Sequence, residues 1–171
     1  MMNADSPVRG KRILIVDDEP DVLETVREIL DVCVVDQAAD FDSAMDCLSI
    51  QPYDAVVLDI QGVRGFDLLK FSVSKGFPTL MLTAHAATLE SLKNSINLGA
   101  AGFLPKEYMM ELKELLEEVM GGGGKRFWWM KTLDRTDAFF TERYGSDWKE
   151  KDAFFKEFHA SLQKEDKKPR E

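Results

Sequence analysis

Acidic side chains follow two apolar runs of the sequence, at the point where each run ends. Residues 13–16 (ILIV) lead into Asp17 and Asp18, and residues 55–58 (AVVL) lead into Asp59. A carboxylate at the end of a buried strand costs free energy unless a cation meets it. Carboxylates that share a site also repel each other, so convergence of these three side chains indicates a site for a hard divalent cation such as Mg²⁺.

A hydroxyl and an ammonium group end two further apolar runs. Thr83 closes residues 77–83 (FPTLMLT), and Lys106 follows residues 102–105 (GFLP). A metal ion, a hydroxyl and a lysine around Asp59 are the groups that stabilise a phosphoryl group in transfer, when negative charge spreads over its three equatorial oxygens. The residue types therefore indicate phosphoryl chemistry, provided that the fold brings these positions together.

The apolar pattern predicts elements that would bring them together. Short continuous apolar runs are typical of strands buried on both faces of a parallel sheet, and each run precedes a stretch with helical apolar spacing. Strict alternation of this kind implies right-handed crossovers, so we expect an α/β fold: a flavodoxin-like (βα)5 doubly wound parallel sheet with a small C-terminal helical extension. The predicted strands lie near residues 11–16, 32–38, 55–58, 77–83 and 102–105, and the last three predicted helices near residues 66–74, 88–98 and 107–120.

Composition excludes several classes of protein. Residues 1–120 carry 10 Lys/Arg and 21 Asp/Glu, a balance of −11, whereas residues 121–171 carry 12 and 10, a balance of +2. An acidic body argues against direct nucleic-acid binding, and no apolar run approaches the roughly 20 residues that cross a membrane. Cys33 and Cys47 lack metal-ligand spacing, so we expect two free thiols and a cytoplasmic location.

The chain divides into a disordered leader (1–10), a main domain (11–120), a glycine linker (121–124) and a helical extension (125–171). Ten of the 17 aromatic residues lie in the extension. Aromatic residues at helical spacing predict a helix near residues 147–164. About 45 residues are too few for a core of their own, so the extension either folds onto the main domain or contacts a partner, including a second copy as a homodimer. A DNA-reading domain is disfavoured, because the segment lacks a helix-turn-helix pattern and a basic face.

Four motifs, ILIVDDEP, VVLDI, MLTAHA and GFLPK, together resemble the receiver domain of two-component response regulators over about residues 11–120. The resemblance implies that Asp59 is the phosphoacceptor, which receives a phosphoryl group from a sensor histidine kinase or a phosphotransfer protein. It implies Mg²⁺ as the cofactor, bound by Asp17, Asp18, Asp59 and the backbone carbonyl of Gln61. Such a protein catalyses only its own Mg²⁺-dependent phosphorylation and dephosphorylation, so it is not expected to be an enzyme in the usual sense.

The resemblance also implies a conformational switch. Thr83 matches the hydroxyl that moves onto the phosphoryl group, and Lys106 matches the lysine that contacts it. Phe103 matches the aromatic side chain that turns inward when the threonine moves, although an aromatic residue on a buried strand is also explained by the core alone. The face formed by the fourth helix, the fifth strand and the fifth helix would then bind a downstream protein.

Two features depart from the family pattern. The loop between Asp59 and Gly65 is shorter than usual and lacks a Met-Pro step, which leaves the position of the Gln61 carbonyl open. Glu107 follows Lys106 where many family members have proline, which leaves the isomer of that peptide bond open. The short loop motivates an alternative function, a receiver-like scaffold or interaction module that works without phosphorylation.

Overall fold

A computed structural model describes residues 6–165 of the 171-residue chain and contains the five predicted β-α pairs. The first three pairs are β1 (Arg12–Val16) and α1 (Pro20–Ile29), β2 (Val34–Ala38) and α2 (Phe41–Ile50), and β3 (Ala55–Leu58) and α3 (Gly65–Ser74). The last two pairs are β4 (Thr79–Thr83) and α4 (Leu89–Asn97), and β5 (Gly102–Pro105) with a 3₁₀ helix (Lys106–Glu111) and α5 (Leu112–Met120). The extension contains α6 (Gly124–Tyr144), α7 (Trp148–Lys151) and α8 (Ala153–Glu165).

The five strands form one parallel sheet in the order β2-β1-β3-β4-β5, which confirms the predicted flavodoxin-like fold. The register sets the strand ends side by side. Val16 of β1 pairs with Leu58 of β3, and Thr83 of β4 pairs with Pro105 of β5. The residues that follow these pairs therefore meet at the carboxyl edge of the sheet.

Helices cover both faces of the sheet and bury every residue of β3, β4 and β5. Alternate residues of each strand point to opposite faces. Leu14 and Val56 belong to the core on one face, and Ile15 and Val57 belong to the core on the other. This two-sided burial explains why the strands read as continuous apolar runs rather than as alternating patterns.

The N-terminal segment differs from the predicted disordered leader over residues 6–10. Val8 is fully buried, and the Gly10 N–H donates to the Val32 carbonyl at 2.8 Å. The Ser6 hydroxyl donates to Glu117 at 2.6 Å, so these residues pack against α5 and the β2 side of the domain. Residues 1–5 lie outside the described part of the chain.

The fifth helix is shorter than predicted, because a 3₁₀ helix occupies its first residues. Tyr108 has φ −105° and ψ 19°, outside the helical region, and its ring meets Phe139 of α6 edge-on at 6.0 Å. Regular α-helix begins only at Leu112. Every described peptide bond is trans, including the one between Lys106 and Glu107.

The extension differs from its predicted outline in two ways. The helix predicted near residues 147–164 is interrupted at Asp152, whose carboxylate accepts the N–H of Phe154 at 2.8 Å and so begins α8. The long helix α6 was not predicted. Its buried face includes Thr132 and Thr136 among aromatic and aliphatic residues, and these threonines interrupt the apolar stripe that identifies a helix.

The extension folds onto its own main domain, the first of the alternatives that the sequence leaves open. Helix α6 lies against β5 and α5, and the Trp129 indole N–H donates to the Ala100 carbonyl at 3.0 Å. Asp152, directly before α8, forms an ion pair with Lys93 of α4 at 3.6 Å. Within residues 6–165, every helix is too short or too polar to cross a membrane.

Candidate functional site

The predicted acidic residues converge at the carboxyl edge of the sheet. Asp17 is fully buried and Asp59 is 6% exposed, whereas Asp18 and Glu19 are exposed. One carboxylate oxygen from each of these four residues lies within 4.8 Å of the other three. Glu19 was not among the predicted site residues, although its position directly after Asp18 was a signal that could have found it.

Lys106 lies at the centre of this acidic cluster. Its Nζ is 2.7 Å from Asp17 Oδ2, 2.9 Å from Glu19 Oε2 and 3.3 Å from Asp59 Oδ2, and its side chain is 10% exposed. The lysine is the first residue after β5, so the same strand-end geometry that gathers the acids also delivers the ammonium group.

Burial and charge shift the pKa values of the cluster in different directions. Burial raises the pKa of Asp17 above 3.8, with Asp59 adding to the rise and Lys106 opposing it. Burial alone would lower the pKa of Lys106, but its contacts with Asp17 and Glu19 outweigh burial and raise it. Lys106 is therefore protonated at neutral pH, and its ammonium group lowers the pKa of Glu19.

The cluster fits a hard divalent cation. Four carboxylates face one ammonium group, so negative charge remains in excess. Asp17 Oδ2 is buried with Lys106 Nζ at 2.7 Å, and because a carboxylate oxygen carries two lone pairs, one remains for another cation. Oxygen donors of this kind, together with water, are the ligands that Mg²⁺ prefers.

Gly62 makes room for the Asp18 carboxylate. A Cβ atom at Gly62 would overlap the Asp18 carboxylate, and the glycine has φ +84°, a backbone conformation that other residues adopt only with strain. The short loop after Asp59 therefore places its backbone directly against one of the predicted metal ligands.

A cavity of about 330 Å³ connects the acids with the other predicted residues. Thr83 lines it, and its hydroxyl oxygen is buried without a hydrogen-bond partner. Gln61 also lines the cavity, and the role of its backbone carbonyl as a metal ligand stays a prediction. The complete lining consists of Asp18, Glu19, Asp59, Gln61, Gly62, Thr83, Ala84, His85 and Lys106.

Phe103 lies on β5 and is fully buried. Its ring is 6.1 Å from the ring of Phe140, so α6 covers the side of the sheet on which Phe103 lies. Burial by α6 is compatible with a core role and with a switch role for Phe103. The structure thus brings Asp59, Thr83 and Lys106 into one site and places Phe103 behind it, under the extension.

The model of the response regulator receiver domain family matches residues 13–119. The chain belongs to this family. The chain is 32% identical over 118 residues to the transcriptional regulatory protein CutR of Streptomyces coelicolor, covering 66% of this chain and 53% of that protein. It is 35% identical over 114 residues to the response regulator MprA of Mycolicibacterium vanbaalenii, covering 63% and 48%. The chain thus spans about half the length of these relatives.

Solved receiver structures show the same fold. A CheY-like receiver domain protein from Methanospirillum hungatei JF-1 has a TM-score of 0.58 at 25% identity, covering 67% of this chain and 99% of that one. A response regulator from Thermotoga maritima has a TM-score of 0.60 at 19% identity, covering 66% and 99%. Membership of the receiver family and the flavodoxin-like sheet predicted from the sequence are therefore confirmed.

Proposed function

We propose that this receiver is a phosphorylation-controlled switch of a two-component system, with Asp59 as the phosphoacceptor. The observation that carries the proposal is that Asp59, Thr83 and Lys106 line one cavity with Asp18 and Glu19. Asp17 completes the acidic cluster beside them. The phosphoryl group would come from a phosphohistidine on a sensor histidine kinase or a phosphotransfer protein. The receiver would act as its own substrate and would perform no other catalysis.

The transfer needs a nucleophile and positive charge beside it. An oxygen of the Asp59 carboxylate attacks phosphorus, a P–O bond forms, and the P–N bond to the donor imidazole breaks with its electron pair left on nitrogen. Lys106 already contacts Asp59 at 3.3 Å and can follow the charge onto the phosphoryl oxygens. The unpaired Thr83 hydroxyl can donate a hydrogen bond to one of those oxygens.

Mg²⁺ fits beside the nucleophile. Asp17, Asp18 and Asp59 would hold it with the Gln61 carbonyl, and Glu19 offers a further carboxylate within 4.8 Å of the other acids. The ion, when bound, would supply positive charge that stabilises the equatorial oxygens during transfer. Backbone N–H groups orient two of these acids: Asp17 Oδ1 accepts the Glu19 N–H at 2.9 Å, and Asp59 Oδ1 accepts the Ile60 N–H at 2.8 Å.

The partners of this switch follow from its chemistry. We place the protein in the cytoplasm, in keeping with the free thiols of Cys33 and Cys47. This protein would pass the signal to a downstream protein and would itself contact neither nucleic acid nor a membrane. The alternative partner is a second copy of this chain, in a homodimer.

Intact-protein mass spectrometry tests the proposal. The full chain is incubated with Mg²⁺ and acetyl phosphate, and we expect a mass gain of one phosphoryl group that requires Mg²⁺ and disappears in Asp59→Asn. Asp54→Asn is the matched control, because Asp54 lies at the opposite end of β3 and its carboxylate accepts the Arg12 N–H at 2.8 Å. A wild-type protein without mass gain would favour the phosphorylation-independent scaffold.

A further inference from the structure

The loop that joins β3 to α3 is short and tightly closed. It consists of residues 60–64, and the Gly65 N–H donates to the Ile60 carbonyl at 3.0 Å. A Cβ atom at Gly65 would overlap the Asp59 carbonyl oxygen, so the end of the loop lies directly on its beginning. A backbone packed this closely passes a displacement at one residue on to its neighbours.

The same loop contacts two acids of the site. The Ile60 N–H donates to Asp59 Oδ1 at 2.8 Å. Gly62 lies against the Asp18 carboxylate, without room for a Cβ atom between them. Gln61, whose carbonyl is the predicted backbone ligand, lies between Ile60 and Gly62 in the chain. The path of the loop therefore sets where these two acids and the carbonyl can meet one ion.

Arg64 ends the loop in an unfavourable backbone conformation. Its φ is +57° and its ψ is +54°, and within residues 6–165 it is the one residue other than glycine with a positive φ. This left-handed conformation costs free energy for a residue that carries a Cβ atom, and glycine adopts it without that cost. Contacts of the arginine side chain must therefore hold the backbone in this conformation.

The Arg64 guanidinium makes these contacts. Its Cζ lies 4.0 Å from the centroid of the Phe41 ring, and its Nε and Nη2 lie 3.1 Å and 3.0 Å from Asp67 Oδ2. Phe41 begins α2 and packs against the core, whereas Asp67 lies in the first turn of α3. A planar guanidinium can stack on a ring and pair with a carboxylate at the same time. The Arg64 side chain thus ties the loop to two helices.

We propose that Arg64 is a positioning residue of the metal site, which holds the β3–α3 loop in the shape that lets the acids and the Gln61 carbonyl bind one Mg²⁺ ion. The Arg64 side chain contacts Phe41 and Asp67 rather than the cavity around Asp59, so it acts through the loop backbone. The inference rests on the proposed function, because it concerns the ion that phosphoryl transfer uses. It adds a residue that determines how well the short loop serves that ion.

Isothermal titration calorimetry of the full chain with Mg²⁺ tests the proposal. Arg64→Lys keeps the charge but loses the planar group, so we expect it to bind Mg²⁺ about fivefold more weakly or worse. Without metal, the amides of residues 60–64 should exchange hydrogen faster in this variant than in the wild type. Arg64→Gly removes the side-chain contacts and the backbone strain together. It should lose Mg²⁺ affinity to a similar extent, although its urea midpoint should be no lower than that of Arg64→Lys.

Variants of Phe41 test the contact from its other side. Phe41→Tyr keeps the aromatic face and should bind Mg²⁺ as the wild type does, whereas Phe41→Leu should weaken binding about as much as Arg64→Lys. The double variant Phe41→Leu/Arg64→Lys should lose less affinity than the product of the two single losses, because both changes remove one contact. Lys75→Gln is the matched control. The Lys75 ammonium lies 5.8 Å from the Phe71 ring at the far end of α3, so its loss should leave Mg²⁺ affinity unchanged.

Equal Mg²⁺ affinity in the wild type, Arg64→Lys and Arg64→Gly would overturn the inference and leave the proposed function standing. Losses of affinity that follow the urea midpoints of the variants would overturn it as well, because a general loss of folding would then explain them. Absence of both Mg²⁺ binding and phosphoryl mass gain in the wild type would remove the proposed function, and this inference with it.

Discussion

Truncation of Phe140 tests whether the extension is an integral part of the folded domain. Phe140 is fully buried, and its ring lies 5.1–6.2 Å from four other aromatic rings: those of Phe103, Phe139, Tyr144 and Trp148. Replacing a buried phenylalanine with alanine costs about 3–5 kcal/mol, and aromatic pairs add to the loss from burial alone. We therefore expect Phe140→Ala to lower the free energy of unfolding by about 4 kcal/mol.

Urea denaturation measures this loss. A urea slope of about 2 kcal/mol per molar converts the loss into a midpoint that is lower by about 2 M. Tryptophan emission follows the extension, and far-UV circular dichroism follows the whole chain. Because α6 packs on β5 and α5, we expect both signals to move together.

Phe127→Ala is the matched control, since Phe127 lies on the same helix but is only half-buried. We expect it to cost about 1 kcal/mol. Equal midpoints for the two variants would refute the reasoning, because they would mean that Phe140 does not fill a packed interior position. A lower midpoint in tryptophan emission alone would show that the extension unfolds as a separate unit.

Three further predictions concern single sites. Folding raises the pKa of Asp17, so in the absence of metal the stability that the Asp17 side chain contributes is present below pH 3.8 and is lost as pH rises through the folded-state pKa. Asp17→Asn should therefore be more stable than the wild type near pH 7, as measured by urea denaturation. Gly62→Ala should lower Mg²⁺ affinity in calorimetry, because the new Cβ overlaps the Asp18 carboxylate. Trp129→Phe should destabilise the protein by about 1–3 kcal/mol, because the buried Ala100 carbonyl loses its indole donor.

Each of these predictions has a control within the chain. The advantage of Asp17→Asn should shrink as the pH approaches 3.8, and an advantage independent of pH would contradict the assigned cause. Gly76→Ala carries a similar φ of +83° with open space around it, so it should leave Mg²⁺ affinity unchanged. Trp128 has a buried indole N–H without a hydrogen-bond partner, so Trp128→Phe should cost less than Trp129→Phe. Equal losses would argue against the Ala100 hydrogen bond.

The convergence of Asp59, Thr83 and Lys106 was predictable because each of these residues lies at the carboxyl end of a strand. In a parallel sheet all carboxyl ends lie at one edge, so assigning the strands also placed Asp59 near Thr83 and Lys106. Glu19 was missed, since its participation depends on the path of the chain after β1 and on the reach of Lys106. The roles of these residues in phosphoryl transfer stay predictions until the mass is measured.

The extension was harder to predict than the receiver. Its aromatic content indicated burial, but Thr132 and Thr136 interrupt the apolar stripe that would have identified α6 as a helix. The break between α7 and α8 depends on the Asp152 carboxylate, which accepts the Phe154 N–H at the start of α8. The ordered residues 6–10 were missed for a similar reason. Val8 is a single apolar residue among polar neighbours, and only its contact with the folded domain buries it.

The sequence by itself determined the alternating elements, the parallel sheet and the set of residues at its carboxyl edge, because apolar periodicity and strand polarity act within short windows of the chain. Only the tertiary structure decided that the extension covers α4, β5 and α5, with Phe140 over Phe103 and Arg135 among three glutamates. Docking of this kind sums many contacts between residues that are far apart in the chain. No short window of sequence contains both sides of such a contact.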